Sequence, residues 1–216
     1  MRLDNTLYDA SLPVMSQVEH RITQYVMEEF GLDFNAARAE QKAFLNQYGT
    51  TLSGLMINHR LEPAAFLDYV HDIDYSVINR DDGLVSLIKN LPGQRYIFTN
   101  GSERHAKNVL KQLGLLGCFD AIFDIAASDY VPKPNRASFD EFNQRFNIRS
   151  NSALMFEDSA RNLVTAASLG YKTVLIKADA GGLDEKKIYS DSQDPDIHYV
   201  AVSVRQFLAN YHSPSL

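Results

Sequence analysis

Two kinds of hydrophobic pattern alternate along this chain. Short continuous apolar runs, typical of strands buried on both faces, are followed by segments in which apolar residues recur every three or four positions, as in helices. The runs lie at 95–99, 121–125, 153–156 and 172–176, and helical patterns lie at 102–113 and 160–169. This alternation predicts an α/β fold in which helices cover both faces of a parallel sheet.

Turn and cap residues support these boundaries. Asn100-Gly101 follows the first run as a turn signal, Ser102 is a suitable N-cap, and Gly114 and Gly170 end the two helical patterns. The remaining chain predicts an exposed polar loop at 178–196, an edge strand at 198–202 and a closing helix at 204–211.

The segment 12–79 has a different character, because it contains helical patterns and no strong strand. Its first helical repeat ends at Gly31, and further helices are predicted at 36–48 and 63–70. The repeat consists of Met15, Val18, Ile22, Tyr25, Val26 and Phe30. We therefore predict an α/β core domain formed by 1–11 and 80–216, with 12–79 inserted as a helical cap domain.

Composition narrows the class of protein. The 216 residues are 45% hydrophobic, enough for a core with a smaller inserted unit, and the net charge of -6 argues against nucleic acid as the main partner. The single cysteine, Cys118, cannot form an internal disulfide and sits among apolar residues, which fits a buried thiol in a reducing compartment. No apolar run approaches the ~20 residues of a membrane helix, and no signal layout is visible. We expect a cytoplasmic protein without a membrane partner, whose oligomeric state the sequence leaves open.

Four short segments carry candidate chemistry, namely 3–8, 98–101, 132–134 and 156–159. Taken singly, Thr99 is typical of a turn, Lys133 of a solvated lysine, and Glu157-Asp158 of an acidic helix start. Together they supply carboxylates for a divalent cation, a hydroxyl and backbone N–H groups for phosphate, and a cation for developing negative charge. Phosphoryl transfer needs this combination.

The order and spacing of these segments resemble the four motifs of the haloacid dehalogenase superfamily, over nearly the whole chain. The resemblance implies a Rossmann-like core, and the helical insertion is similar to that superfamily's C1-type cap. A closer resemblance to the pyrimidine 5'-nucleotidase group rests on the segments 4–8, 48–52, 69–75 and 96–101.

The resemblance implies a role for each motif residue. Asp4 matches the acid that protonates the leaving oxygen and then activates water, and Thr99 matches the phosphate-binding hydroxyl, helped by the N–H groups of Asn100 and Gly101. Lys133 matches the lysine that neutralises the phosphate and the nucleophile. The Mg²⁺ cofactor is expected on Asp4 and Asp158, with Glu157 acting through water or behind the direct ligands. Contacts to base or sugar are expected from Thr50, Thr51, Gly54 and Asn58.

Arg2 departs from the family pattern, because the aspartate nucleophile belongs at its position. Two explanations remain open. One is a truncated or misassigned start, which we favour because the missing strand is central in such a sheet; the other is a catalytically inactive relative. A guanidinium here is expected to repel Mg²⁺. We expect solvent exposure for His105, and for His59 and His71 either structural hydrogen bonds or nucleoside contact.

Four functions are compatible with the motifs. The favoured one is a Mg²⁺-dependent phosphatase acting on a small phosphate ester, a pyrimidine nucleoside monophosphate, through an aspartyl-phosphate. A haloacid dehalogenase needs no metal, so Asp4, Glu157 and Asp158 would be superfluous. A receiver-type signalling domain has no room for the helical insertion. The last is an inactive protein that keeps the pocket and binds a phosphate ligand, which Arg2 supports.

Overall fold

The computed structural model describes residues 1–177 and 194–211. Nine α-helices and five strands lie in these ranges. The helices are α1 Val14–Phe30, α2 Phe34–Tyr48, α3 Thr51–His59, α4 Pro63–Val70, α5 Asp82–Lys89, α6 Glu103–Leu113, α7 Arg136–Phe146, α8 Ala160–Ser168 and α9 Val204–Asn210. The strands are β1 Tyr96–Phe98, β2 Ala121–Phe123, β3 Leu154–Glu157, β4 Lys172–Ile176 and β5 Tyr199–Ala201. Most of the predicted loop, 178–193, lies outside the described residues.

All strand pairs are parallel, as predicted. β1 pairs with β2, and β3, β4 and β5 pair in that order. The first two residues connect the two groups of strands. Phe98 donates its backbone N–H to the Met1 carbonyl at 2.9 Å, and Arg2 donates its own to the Phe156 carbonyl at 3.0 Å. Met1 and Arg2 therefore occupy the position between β1 and β3, and they bring Arg2 to the carboxyl ends of the strands.

The sheet buries apolar side chains on both faces, because successive residues of a strand point to opposite sides. Ile97 and Phe156 pack into a cluster with α5, α6 and α9, whereas their neighbours Phe98 and Met155 pack into a second cluster with α7 and α8. This double burial explains why the strands read as continuous apolar runs. It confirms the predicted α/β class, with helices on both faces of a parallel sheet.

Helices α1 to α4 pack together around a third apolar cluster, which includes Phe44, Leu55, Phe66 and Ile125. Ile125 follows β2, so the cluster also joins the helical insertion to the sheet. The segment 51–59, which was not predicted as an element, forms α3, and Thr50 caps it by accepting a hydrogen bond from the Ser53 N–H.

Two expectations about burial and length can be checked directly. Cys118 is a free, buried cysteine, as its apolar neighbours predict. Among the described residues, none of the helices combines the length and the apolar character needed to cross a bilayer.

Candidate active site

Four of the predicted motifs meet at the carboxyl ends of the strands. Thr99 directly follows β1, Glu157 is the last residue of β3 and Asp158 follows it. Lys133 comes from the loop between β2 and α7, and Asp4 lies two residues beyond the Arg2 position in the sheet. Parallel strands present their ligand sites at this edge.

Arg2 binds the two acidic residues of the fourth motif. Its Nη1 lies 2.9 Å from Glu157 Oε2, and its Nε lies 2.9 Å from Asp158 Oδ1. The Arg2 side chain is 24% exposed, because it also lines a cavity above the carboxyl ends of the strands. The guanidinium therefore occupies the place between these carboxylates.

Lys133 is held by both its side chain and its backbone. Its Nζ donates to the Phe98 carbonyl at 2.7 Å and to Glu157 Oε1 at 3.0 Å, and the side chain is buried. The Asn100 amide side chain accepts from the Lys133 N–H and donates to its carbonyl. Burial lowers the pKa of the Lys133 ammonium, and the negative charge of Glu157 opposes that shift.

Glu157 is the most buried charge of the site, with 0% of its residue exposed. Arg2, Lys133 and the Asn162 amide donate to its carboxylate, as do the backbone N–H groups of Asp158 and Ser159. Burial opposes ionisation, but the positive charges of Lys133 and Arg2 outweigh it and hold the pKa of Glu157 well below its usual range. Burial and the neighbouring Glu157 raise the pKa of Asp158, although Arg2 opposes this.

Asp4 is bound by two side chains, both at the same carboxylate oxygen. His105 Nε2 lies 2.7 Å from Asp4 Oδ1, and the Tyr8 hydroxyl donates to the same oxygen at 2.9 Å. Burial opposes ionisation of Asp4, but the contact with His105 and the charge of Arg2 lower its pKa. Asp4 is therefore a fixed carboxylate at the cavity floor.

His105 was expected to be exposed to solvent, and the structure shows that it is buried. The side chain is 1% exposed, because its helix packs against the segment that carries Asp4. Its Nδ1 lies 2.9 Å from the Tyr75 hydroxyl. His71 stacks on it with ring centroids 4.4 Å apart and contacts the Ser102 hydroxyl at 2.9 Å. Burial, followed by His105, lowers the pKa of His71 to about 3.

The loop after β1 is a tight turn that lines the cavity. The Thr99 hydroxyl accepts from the Gly101 N–H at 3.0 Å, which fixes the turn. A Cβ added at Gly101 would lie 3.3 Å from His105 Cδ2 and 3.4 Å from Thr99 Oγ1, so a larger residue would crowd the turn. Thr99, Asn100 and Gly101 line the same cavity as Arg2 and Lys133.

That cavity has a volume of about 540 Å³ and lies between the motif residues and helices α1 to α4; we refer to it as the interlayer cavity. Thr50 and Thr51 line it from the helical side, as does His71. Asn58 does not, because its side chain is engaged by the Gly54 carbonyl and the Tyr48 hydroxyl on the exposed side of α3. His59 also lies away from it, exposed and tilted against the Phe30 ring with ring centroids 4.4 Å apart.

The side chains do not fit the expected Mg²⁺ site. Arg2 already binds Glu157 and Asp158, and one oxygen of Asp4 is taken by His105 and Tyr8. Within 1–177 and 194–211, no three acidic, histidine or cysteine side chains are grouped to hold a metal ion. Arg2 therefore opposes Mg²⁺ not only by its charge but also by binding the carboxylates that a cation would need.

Comparison with known proteins identifies the family of this chain. A family model of haloacid dehalogenase-like hydrolases matches residues 3–170. The chain is similar to Phosphate metabolism protein 8 of Saccharomyces cerevisiae, with 26% identity over 191 residues, which cover 80% of this chain and 59% of that protein. The chain thus spans less than two thirds of the length of this relative.

Solved structures share the fold over nearly the whole chain. The HAD phosphatase from Thermococcus onnurineus superposes with a TM-score of 0.59 at 15% identity, covering 98% of this chain and 97% of that one. The HAD hydrolase YfnB from Bacillus subtilis, bound to magnesium, gives 0.58 at 17%, covering 97% and 96%. L-2-haloacid dehalogenase from Xanthobacter autotrophicus gives 0.56 at 16%, covering 96% and 95%. These likenesses confirm the architecture that the motif resemblance implies.

Proposed function

Because this chain belongs to the haloacid dehalogenase-like hydrolases, we propose that its interlayer cavity takes the phosphate group of a small phosphate monoester. The observation that carries this proposal is the convergence of Thr99, Lys133 and Arg2 on one cavity floor. Two cations and an anion-binding turn there face a dianionic group.

A nucleoside monophosphate is the substrate class that we propose, and a pyrimidine nucleotide within it. The cavity volume of about 540 Å³ lies in the range of small-molecule sites. Thr50, Thr51 and His71 line its helical wall. The similarity to a phosphate metabolism protein and to a phosphatase supports a phosphate ester in general.

Hydrolysis by the family route needs a carboxylate at position 2, to attack phosphorus and carry the phosphoryl group. Arg2 has no lone pair for this step, since a guanidinium only donates hydrogen bonds. Asp4 remains at the position of the family's acid, two residues after Arg2, and its carboxylate is held there by His105 and Tyr8. We therefore propose that the site has the layout of a phosphatase and that its turnover depends on restoring aspartate at position 2.

A second function, binding of a phosphate ligand without hydrolysis, is favoured by the ion pairs of Arg2. They bind the guanidinium tightly between Glu157 and Asp158, so the residue is built into the site. Under this alternative the chain with Arg2 has its function as it stands, and the aspartate variant would not gain a specific activity.

The test compares the wild-type chain with Arg2→Asp in a phosphate-release assay with Mg²⁺, over UMP, CMP, AMP and a sugar phosphate. We expect turnover by the variant, fastest on UMP and CMP, and background release by the wild type. Turnover by the wild type at the rate of the variant would show that the nucleophile lies elsewhere. Faster release from the sugar phosphate would overturn the nucleotide assignment, and no release by a folded variant would favour the binding function.

A further inference from the structure

We propose that the Arg2 guanidinium is a built-in replacement for the divalent cation of this site, so that this chain binds a phosphate group without a metal. The inference rests on the proposed function, because it concerns the same phosphate-binding floor. It goes beyond that function by stating which cation the anion meets and by predicting indifference to Mg²⁺.

The first support is the position of the guanidinium. It forms two charge-assisted contacts of 2.9 Å, one to Glu157 and one to Asp158. Two contacts to separate carboxylates hold the planar cation in one orientation, as a bridge between Glu157 and Asp158. A metal ion bound to these carboxylates would have to occupy the space that Arg2 fills.

The second support is the charge of the site. An aspartate with a bound divalent cation contributes one net positive charge, and an arginine at the same position contributes one positive charge by itself. The other charged groups, Asp4, Lys133, Glu157 and Asp158, are unchanged by this exchange. The phosphate group therefore meets the same net charge with Arg2 alone as it would with aspartate and Mg²⁺.

The third support is the donor capacity that remains. A guanidinium has five N–H donors, and in the described structure its contacts with Glu157 and Asp158 use Nη1 and Nε. Arg2 also lines the interlayer cavity, next to Thr99 and Lys133. The Nη2 group can therefore donate to a phosphate oxygen, while the two carboxylates hold the guanidinium in place.

Isothermal titration of inorganic phosphate into the protein tests this inference, in a buffer with EDTA and in one with Mg²⁺. For the wild type we expect the same Kd in both buffers, within about twofold, and no effect of Mg²⁺ on the unfolding temperature. For Arg2→Asp we expect phosphate binding to weaken by at least about tenfold in EDTA and to recover with Mg²⁺. Mg²⁺ should also raise the unfolding temperature of that variant, because it neutralises three adjacent carboxylates.

Two controls separate the explanations. Arg136→Asp makes the same charge change on the surface, where Arg136 pairs with Asp140, and should leave phosphate binding unchanged. Arg2→Gln removes the charge and the Nη donors while keeping an N–H donor near the position of Nε, and should lose affinity in both buffers even if Arg2→Asp does not fold.

The outcomes that contradict the inference are distinct. One such outcome is that the wild type binds phosphate about tenfold or more tightly with Mg²⁺ than with EDTA. Arg2 would then not replace the metal, although the phosphate site itself would stand. Equal affinity of Arg2→Gln and wild type would also overturn the inference. Failure of the wild type to bind phosphate in either buffer would overturn both the inference and the proposed function.

Discussion

At the residue scale, the buried pair of Lys133 and Glu157 is part of the proposed phosphate site and also contributes to the stability of the sheet. Lys133 is 3% exposed and Glu157 is 0% exposed, and their side chains meet at 3.0 Å. Removing one partner of such a pair leaves a charge with incomplete compensation in a medium of low polarity. The stability of the fold and the proposed phosphate binding therefore involve the same ammonium group.

We predict that Lys133→Met lowers the free energy of unfolding by about 3 kcal/mol, near the lower end for a buried pair because Arg2 still compensates Glu157. Denaturant unfolding measures this change. Lys107→Met is the matched control, because Lys107 is half exposed and pairs with Glu103 at 2.9 Å on the surface. Its loss should stay below about 1 kcal/mol. Equal losses in the two variants would contradict the buried position of Lys133.

His71 makes stability depend on pH. Its pKa is about 3 in the folded protein and near 6.5 in the unfolded chain, because burial and the stacked His105 ring disfavour the cation. Between these values the unfolded chain binds more protons, so the free energy of unfolding falls as the pH falls below 6.5. Asp4, His105 and the Ser102 hydroxyl are the polar groups that face this ring.

Substitution of His71 by Asn should reduce that dependence. From about pH 7 to about pH 5, we expect the wild type to lose roughly 1–2 kcal/mol more than His71→Asn does. His20→Asn, at an exposed position of α1, is the control and should follow the wild type. Denaturant titrations at several pH values measure the slopes. Parallel slopes for wild type and His71→Asn would show that His71 takes up its proton without cost in the folded protein.

The sequence predicts candidate site residues and not their partners. Thr99, Glu157 and Asp158 end or follow apolar runs at the edge where parallel sheets bind ligands, and Lys133 lies in a loop after such a run. The burial of His105 depends on Asp4, which is 101 positions away in the chain, so no local pattern reveals it. The ion pairs of Arg2 depend in the same way on residues of β3. The one local signal for these ion pairs is Arg2 itself, a charged residue at the position where the family pattern has the catalytic aspartate.

At the element scale, the contact between α2 and α3 depends on a glycine. A Cβ added at Gly54 would lie 2.4 Å from Phe44 Cγ and 2.6 Å from Phe44 Cβ, so the added atom meets the base of the ring rather than a flexible tip. The close approach brings Leu52 and Leu55 into the apolar cluster of the helical insertion.

We predict that Gly54→Ala lowers the free energy of unfolding by about 1–3 kcal/mol, as overpacking does. Without the clash, alanine in a helix would raise stability by up to about 1 kcal/mol. Gly83→Ala in α5 is the matched control, because its Cβ meets the mobile guanidinium end of Arg205, which can move aside. A gain in stability for Gly54→Ala would contradict the close packing of α2 on α3.

Two elements lie at the bounds that the sequence predicts, and one helix was not predicted. β4 and α4 begin and end where the sequence predicts, because one is a continuous apolar run and the other starts at a proline. α3 was missed, since its nine residues include Ser53 and Gly54, which favour other conformations in isolation. Its helical form is imposed by packing against Phe44 and by the cap at Thr50, and such tertiary contacts are not visible in a local window.

At the scale of the whole molecule, we propose that the sheet edge and the helical insertion recognise different parts of the ligand. The sheet edge supplies Thr99, Lys133 and Arg2, which we propose as contacts of the phosphate group common to all phosphate esters. The helical insertion forms the opposite wall of the interlayer cavity, where Thr51 is buried and Asn58 points away. Discrimination between phosphate esters should therefore depend on the helical layer.

We predict that Thr51→Val weakens binding of UMP by about tenfold and leaves the binding of inorganic phosphate unchanged, because the loss of one buried hydrogen bond affects the part of the ligand beyond the phosphate. Valine keeps the shape of the side chain and removes its hydroxyl. Asn58→Ala is the matched control on the same helix and should change neither affinity. Isothermal titration of both ligands into the wild type and the two variants gives the ratio of their dissociation constants. An equal loss for UMP and phosphate in Thr51→Val would mean that the substitution disturbs the phosphate site itself, and a larger effect from Asn58→Ala would place the nucleoside on the other face of α3.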